Sequence, residues 1–455
     1  MSFWKIAWRN IEQRALASSL TALSMALGVA VMIAVIVIHS VAVRQFSQDA
    51  QGYHLIVGGK GGALQLVLST VYHLGQPLYP IPYTYYQKFV DGEFSSVTEV
   101  AVPICLGDSY EAPDGTHYRA VGTTPDLFDK IQYGTDDQGE PKSYRFQPGG
   151  RNLKDAGALS GDEFAKAAFE AVVGSVVAAQ AELKVGDTIQ PTHGISGEGD
   201  KHRDFTVVGV LEPTGTANDR AVFVNIEGFY LLEGHSLSPP EDAENEEEAG
   251  ADHDAHEHEG GDRPEPLPIP QREVTSILVK CNSPMGPLVL DTGINKGEDR
   301  IAQAVAPARE VTMLLDGIVG PVRLILLVLT VLIVIVAGIS ILVSIYNSMS
   351  ERSHDIAVMR ALGASRGAVM MIILVESILL SLGGGLIGIL LAHAMIGLAS
   401  PYVVARTGVS LSLLQFDWRE LVLIPGLVVL ASLVGFLPAL AAYRTDVAKA
   451  LSGSR

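Results

Sequence analysis

The chain has 455 residues, a formal charge of −18 at neutral pH and 48 % hydrophobic residues. Its length allows two or three domains, and the uneven spread of apolar residues excludes a wholly water-exposed fold. The net acidity belongs to one long segment while the short ones are net basic, so charge supplies no basis for a nucleic-acid partner.

Residues 1–15 hold SFWKIAWRNIEQR (2–14), where Phe3, Trp4, Ile6, Ala7, Trp8 and Ile11 make a broad apolar face interleaved with Lys5, Arg9 and Arg14. Trp and Arg beside a bilayer entry mark an interfacial helix. Residues 16–43 follow as the first of four stretches long enough to cross a hydrocarbon core of about 30 Å. The others are 322–346, 368–396 and 421–443. The first far exceeds the apolar run of a signal peptide and is expected to stay as an anchor. Four spans put both termini on one side. The short segments 1–17, 347–367 and 443–455 carry nine Lys/Arg against four Asp/Glu, which assigns them, with both termini, to the cytoplasm.

Residues 44–321 are then extracytoplasmic and long enough to bury a core of their own. HLIVGG (54–59), YRAVGT (118–123), FTVVGVL (205–211), RAVFVNI (220–226) and TSILVK (275–280) read as strands, and Gly161 to Leu183 as a helix. The fold class is therefore membrane α-helical, with four transmembrane helices and a large α+β domain between the first and second. Cys105 and Cys281 both fall in this domain, as one disulfide or two buried thiols.

Within it, residues 236–271 break composition and are expected to form a disordered loop. Glu241 to Asp262 carries eleven carboxylates with no Lys or Arg, and includes His253, His256 and His258; Pro264, Pro266, Pro268 and Pro270 follow. Two readings stand side by side for the histidines: a solvated, self-repelling loop with no ligand, or a loop that binds Zn²⁺ weakly and adaptably.

After the second span, residues 347–367 form a short charged segment, ERSHDIAVMRALGAS (351–365), whose mixed-sign charges suit a protein partner better than anionic lipid. The third span holds Gly384 and Gly388, a small-xxx-small pair that lets membrane helices approach closely. It also holds Glu376, expected to make a hydrogen bond between helices; an ionisable residue inside a span is otherwise a candidate for substrate or proton handling. Residues 397–420 make an outer loop, and 444–455 a cytoplasmic tail.

No G-x-x-x-x-G-K-[ST] occurs; GGKGG (58–62) lacks the spacing and the following Ser/Thr. No metalloprotease or serine-hydrolase motif stands out, so an enzyme reading has nothing to rest on. Here the residues reach a resemblance. The layout, together with ERSHDIAVMRALGAS, resembles the MacB/LolC/FtsX-like permeases of the type VII ABC transporters. That family's turn after the second span reads E-R-x-x-E-I-[AG]-x-x-[RK]-A-[LI]-G-A, matched here by Glu351, Arg352, Ile356, Ala357, Arg360, Ala361, Leu362, Gly363 and Ala364, with Asp355 in place of Glu. AWRNIEQRALASSLTALSMALGVA (7–30) is similar to the family's entry, and PALAAYRTDVAKAL (438–451) to its ending, with Val447 where Pro is usual.

The resemblance implies a permease without an ATPase motif of its own and with no cofactor bound directly, ATP being used by a partner. Partners would be a cytoplasmic ABC ATPase dimer, a second permease copy or paralogue, a periplasmic fusion or effector protein, and the lipid bilayer. Glu351, Arg352, Asp355, Ile356 and Arg360 would couple to the ATPase, the apolar contacts coming from Ile356 with Val358 or Met359, and Gly363 would permit the tight helix end. The output would be extrusion or extraction of an amphiphile such as a lipoprotein, peptide or drug. The alternatives are mechanical activation of a periplasmic enzyme, or a zinc-linked transport component.

Overall fold

The computed structural model describes residues 3–49, 52–135, 140–194, 199–235, 264–297, 300–351, 353–407 and 420–444. Contacts divide the chain into two compact units: Met1–Val43, Leu315–Val404 and Ser410–Arg455 in one, Arg44–Leu314 and Ala405–Val409 in the other.

In the first unit the amphipathic entry becomes helix Phe3–Gln13, with Trp4 and Trp8 exposed and Ala7 buried. The first membrane helix is Ala15–Asp49. Leu16, Leu20, Leu23 and Leu27, spaced by three and four, are all exposed, while Met25, Ala26, Val29, Ile33 and Val37 are buried. One stripe therefore suits lipid and the other packs against helices. The second membrane helix, Gly320–Glu351, is preceded by helix Pro307–Leu314 and a π-turn at Leu315–Val319. The third is Arg366–Thr407 and the fourth Glu420–Arg444. All four are long and apolar enough to cross a membrane. The third outruns its expected end at residue 396. Gly397 and Pro401 read as stop signals, but Ala399, Tyr402 and Val403 keep an apolar helical surface going, and Pro401 sits inside the helix.

The second unit is built on one mixed sheet of ten strands: β1 Leu55–Gly59, β2 Thr98–Glu111, β3 His117–Thr123, β4 Glu170–Val173, β5 Thr188–Ile189, β6 Thr192–His193, β7 Phe205–Val210, β8 Ala221–Asn225, β9 Ser276–Cys281 and β10 Ala302–Val305. Their order is β10-β1-β9-β2-β3-β8-β4-β7-β5, with β6 on a second stretch of β2. The β3–β8 and β4–β7 pairs are parallel and the rest antiparallel. Tyr118, Tyr230, Phe89, Phe164, Phe205 and Phe223 fill the core. Two of its buried carboxylates are paired with arginines: Arg272 donates to Glu227 at 2.7 Å, and Arg151 forks onto Glu170 at 2.9 and 2.5 Å.

The expected helix over 161–183 is divided. Gly161–Ala168 and Ser175–Ala181 are helical, but β4 lies between them, fully buried. Its EAVV run pairs on both edges with β-branched strands, and burial on both faces favours strand over helix there. Cys105 and Cys281 are both free and buried. Burial pushes the Cys105 thiol up to about 12, which makes it unreactive.

Candidate functional site

The turn after the second membrane helix is made by two interlocking caps. Helix Ser353–Ala361 ends at Gly363, whose φ of 103° is left-handed and favours glycine. Gly363 N–H donates to Arg360 O at 3.1 Å and Ala364 N–H to Met359 O at 3.0 Å, the paired bonds of a Schellman end. Two residues on, Ser365 Oγ accepts from Ala368 N–H at 3.2 Å and so caps the third membrane helix. The sequence Leu-Gly-Ala-Ser thus stops one helix and starts the next in the least chain.

Of the residues expected to couple here, Arg352 lies outside the described residues. Glu351 ends the second membrane helix, and Asp355 and Arg360 fall in the short helix. Ile356, expected among the outward apolar contacts, is only 7 % exposed, and Ala357 beside it is also buried. Both pack within their own unit. Val358, expected with Ile356, does face outward, and Leu362 joins it at 84 % exposed. Arg366 lies over the Tyr443 ring at 5.7 Å, tying the turn to the fourth helix.

Inside the bundle, Glu376 is buried and accepts from Asn10 Nδ2 at 3.3 Å, and Arg14 donates to Ser344 O at 3.3 Å. These bonds tie the entry segment to the third and second membrane helices. A Cβ on Gly384 would lie 2.7 Å from Ala22 O, and one on Gly388 2.6 Å from Ala26 O. The first and third helices therefore touch backbone to backbone along these two turns. His39 accepts from Arg323 Nη1 at 3.0 Å, and His393 Nε2 contacts the buried Glu420 carboxylate at 3.0 Å. These polar groups inside the spans are held by partners on neighbouring helices.

In the outer unit, His253, His256 and His258 lie outside the described residues. A different histidine set comes together. Between Leu106–Val121 and Ser109–Arg119 the β2–β3 register gains a residue on β2, a bulge that re-aims Asp108. β6 pairs beside it and sets His193 opposite Asp108. His202 closes the same ribbon, its N–H on Pro191 O at 2.8 Å. His235 lies just past helix Ile226–Tyr230, with its N–H on Leu232 O at 3.3 Å. The three imidazole centres stand 5.7, 5.2 and 5.3 Å apart around the carboxylate. Gly107 leaves the room this needs: a Cβ there would lie 3.2 Å from His235 Cε1. Burial lowers the His202 pKa below that of a free imidazole, against the pull of Asp108, and the neighbouring imidazoles add to the lowering. Sequence reasoning passed over this set because its members sit on four segments with no ligand spacing among them.

Residues 18–283 match the family described as MacB-like periplasmic core domain, and residues 327–447 the FtsX-like permease C-terminal family. The chain is similar to a macrolide export ATP-binding/permease protein MacB of Bordetella avium, 26 % identical over 196 residues, 40 % of this chain and 28 % of the relative. A MacB of a Shewanella species is 33 % identical over 124 residues, 27 % of this chain and 18 % of the relative. An uncharacterized ABC transporter permease of Methanocaldococcus jannaschii is 25 % identical over 274 residues, 56 % of this chain and 53 % of the relative. The chain thus spans from about a fifth to about half the length of these curated relatives.

Proposed function

The chain belongs to the MacB/FtsX-like permeases of the ABC transporters, and from that premise we propose that it converts ATP hydrolysis in a cytoplasmic ATPase into movement of its outer domain. The observation that carries this reading is the short helix Ser353–Ala361, clamped between two membrane helices by its own caps and presenting Val358 and Leu362 outward. A rigid, partly apolar knob joined directly to two spans transmits a push without absorbing it. Arg352 and Arg360 would add charge contacts to the ATPase. The charge bias of the short segments supports a cytoplasmic location for this turn and for both termini.

The working unit would be two permease copies, or a copy and a paralogue, with an ATPase dimer, and a periplasmic fusion or effector protein would engage the outer domain. The name of the Bordetella and Shewanella relatives, macrolide export, supports an amphiphilic, drug-like, peptide or lipoprotein cargo that is extruded or extracted.

The test is charge reversal. Full-length permease carrying Arg352→Glu and Arg360→Glu, co-expressed with its ATPase and purified in detergent, is expected to lose at least about 90 % of the co-purifying ATPase, since each interfacial charge contact contributes roughly 1.5 kcal/mol or more. Undiminished recovery of the ATPase would defeat the reading.

A further inference from the structure

Asp108, His193, His202 and His235 have no part in the coupling described above, yet their placement is costly without a ligand. Asp108 is fully buried and the His202 and His235 side chains are 6 % and 8 % exposed. Both Asp108 carboxylate oxygens, His202 Nε2 and His235 Nε2 have no hydrogen-bond partner among the described residues. The atoms approach to 3.0–3.5 Å, the range of ion pairs. A buried carboxylate left so is among the most expensive groups a fold can hold.

A cation at the common focus removes that cost, and the distances fit one. Zn²⁺ bonds nitrogen and oxygen at about 2.0–2.1 Å in tetrahedral sites, which puts neighbouring donor atoms roughly 3.3 Å apart. Here Asp108 Oδ1 lies 3.5 Å from His193 Nδ1 and 3.0 Å from His235 Nε2, and Asp108 Oδ2 lies 3.4 Å from His202 Nε2. All four donors fall within 4.8 Å of one another. Three imidazoles and one carboxylate suit Zn²⁺ or its late first-row neighbours, whereas Mg²⁺ and Ca²⁺ ask for oxygen. The His193 side chain is 52 % exposed and gives an ion a way in.

We propose that Asp108, His193, His202 and His235 bind one Zn²⁺ ion in the outer domain. With four protein donors the tetrahedron is complete and leaves no open position, which marks a structural or metal-sensing site and not a catalytic one. The ion would join the bulge of β2, β6 with His202 beside it, and the turn after helix Ile226–Tyr230. Zinc supply would then set how firmly these three segments are held together.

The test is metal titration of the full-length protein in detergent after stripping with EDTA. Zn²⁺ is followed by calorimetry, and Co²⁺ by its visible bands. The chain from Glu241 to Asp262 carries other histidines and carboxylates, so a variant lacking 241–262 is the control. Wild type and the deletion are each expected to bind one tight equivalent of Zn²⁺, to give the intense spectrum of tetrahedral Co²⁺, and to melt at higher temperature with metal. Losing an outer contact to a ligand already costs 10–100-fold in affinity, so His202→Ala should weaken the tight site by at least about 100-fold. His193→Ala, at a half-exposed position the fold tolerates, should do the same. Absence of a tight equivalent, its loss in the deletion, or its survival in His193→Ala would each overturn the proposal.

Discussion

His73 shows how one residue can carry a pH dependence. It sits at φ 57°, an αL position that a non-glycine residue adopts only when its surroundings hold it there. Its Nε2 is 2.9 Å from Asn218 Oδ1, and its ring meets Phe223 edge-on at 6.2 Å. Burial, opposed by the Asn218 bond and helped by the charge of Arg119, lowers its pKa to about 4 from the ordinary 6.5. The unfolded chain therefore binds a proton between those values that the folded chain refuses. The contribution is whole above pH 6.5, falls as pH drops toward 4, and is flat below. Calorimetric melting of the full-length protein should show the outer-domain transition falling across this window. In His73→Asn, which keeps an αL-tolerant side chain, the fall should be smaller. An equal fall in both proteins would contradict the assignment.

At the scale of elements, the glycines of the third membrane helix decide how closely the first can lie. Gly388→Leu forces a side chain into the Ala26 backbone and the Val29 Cβ, which a substituted Cβ would already approach at 2.6 and 2.8 Å. The overpacking costs about 1–3 kcal/mol. The detergent-solubilised variant should melt lower than wild type, whereas Gly383→Leu, at a glycine with nothing within 4 Å, should melt close to it. Equal melting of the two variants would mean that the helices do not depend on this contact. These glycines could be read from the sequence because their spacing is local. So could the strands at 54–59, 205–211 and 275–280, whereas the tight end at Gly363 was implied by the family resemblance. β4 could not, because its strand character comes from partners at Thr206–Val210 and Val222–Val224. The histidine cluster was hidden for the same reason: a register shift in β2 aims Asp108, and although Gly107 inside a strand is a bulge signal, it does not tell which side chains the bulge meets.

For the whole molecule, apolar length alone locates the four spans and the large domain between the first and second, because it is a sum over long stretches. What the domain acts on depends on surfaces that composition does not describe. In the proposed function, an input at the turn helix reaches an output in the outer sheet through the first and second membrane helices, by which the chain enters and leaves that domain. The turn, and not the outer unit, would then meet the ATPase. A photo-crosslinking amino acid placed at Leu362, 84 % exposed, or at Tyr79, 88 % exposed in the outer unit, tests this in cells making the full-length permease and its ATPase. An ATPase adduct is expected from Leu362 and none from Tyr79. An adduct from Tyr79 with none from Leu362 would contradict the proposed function.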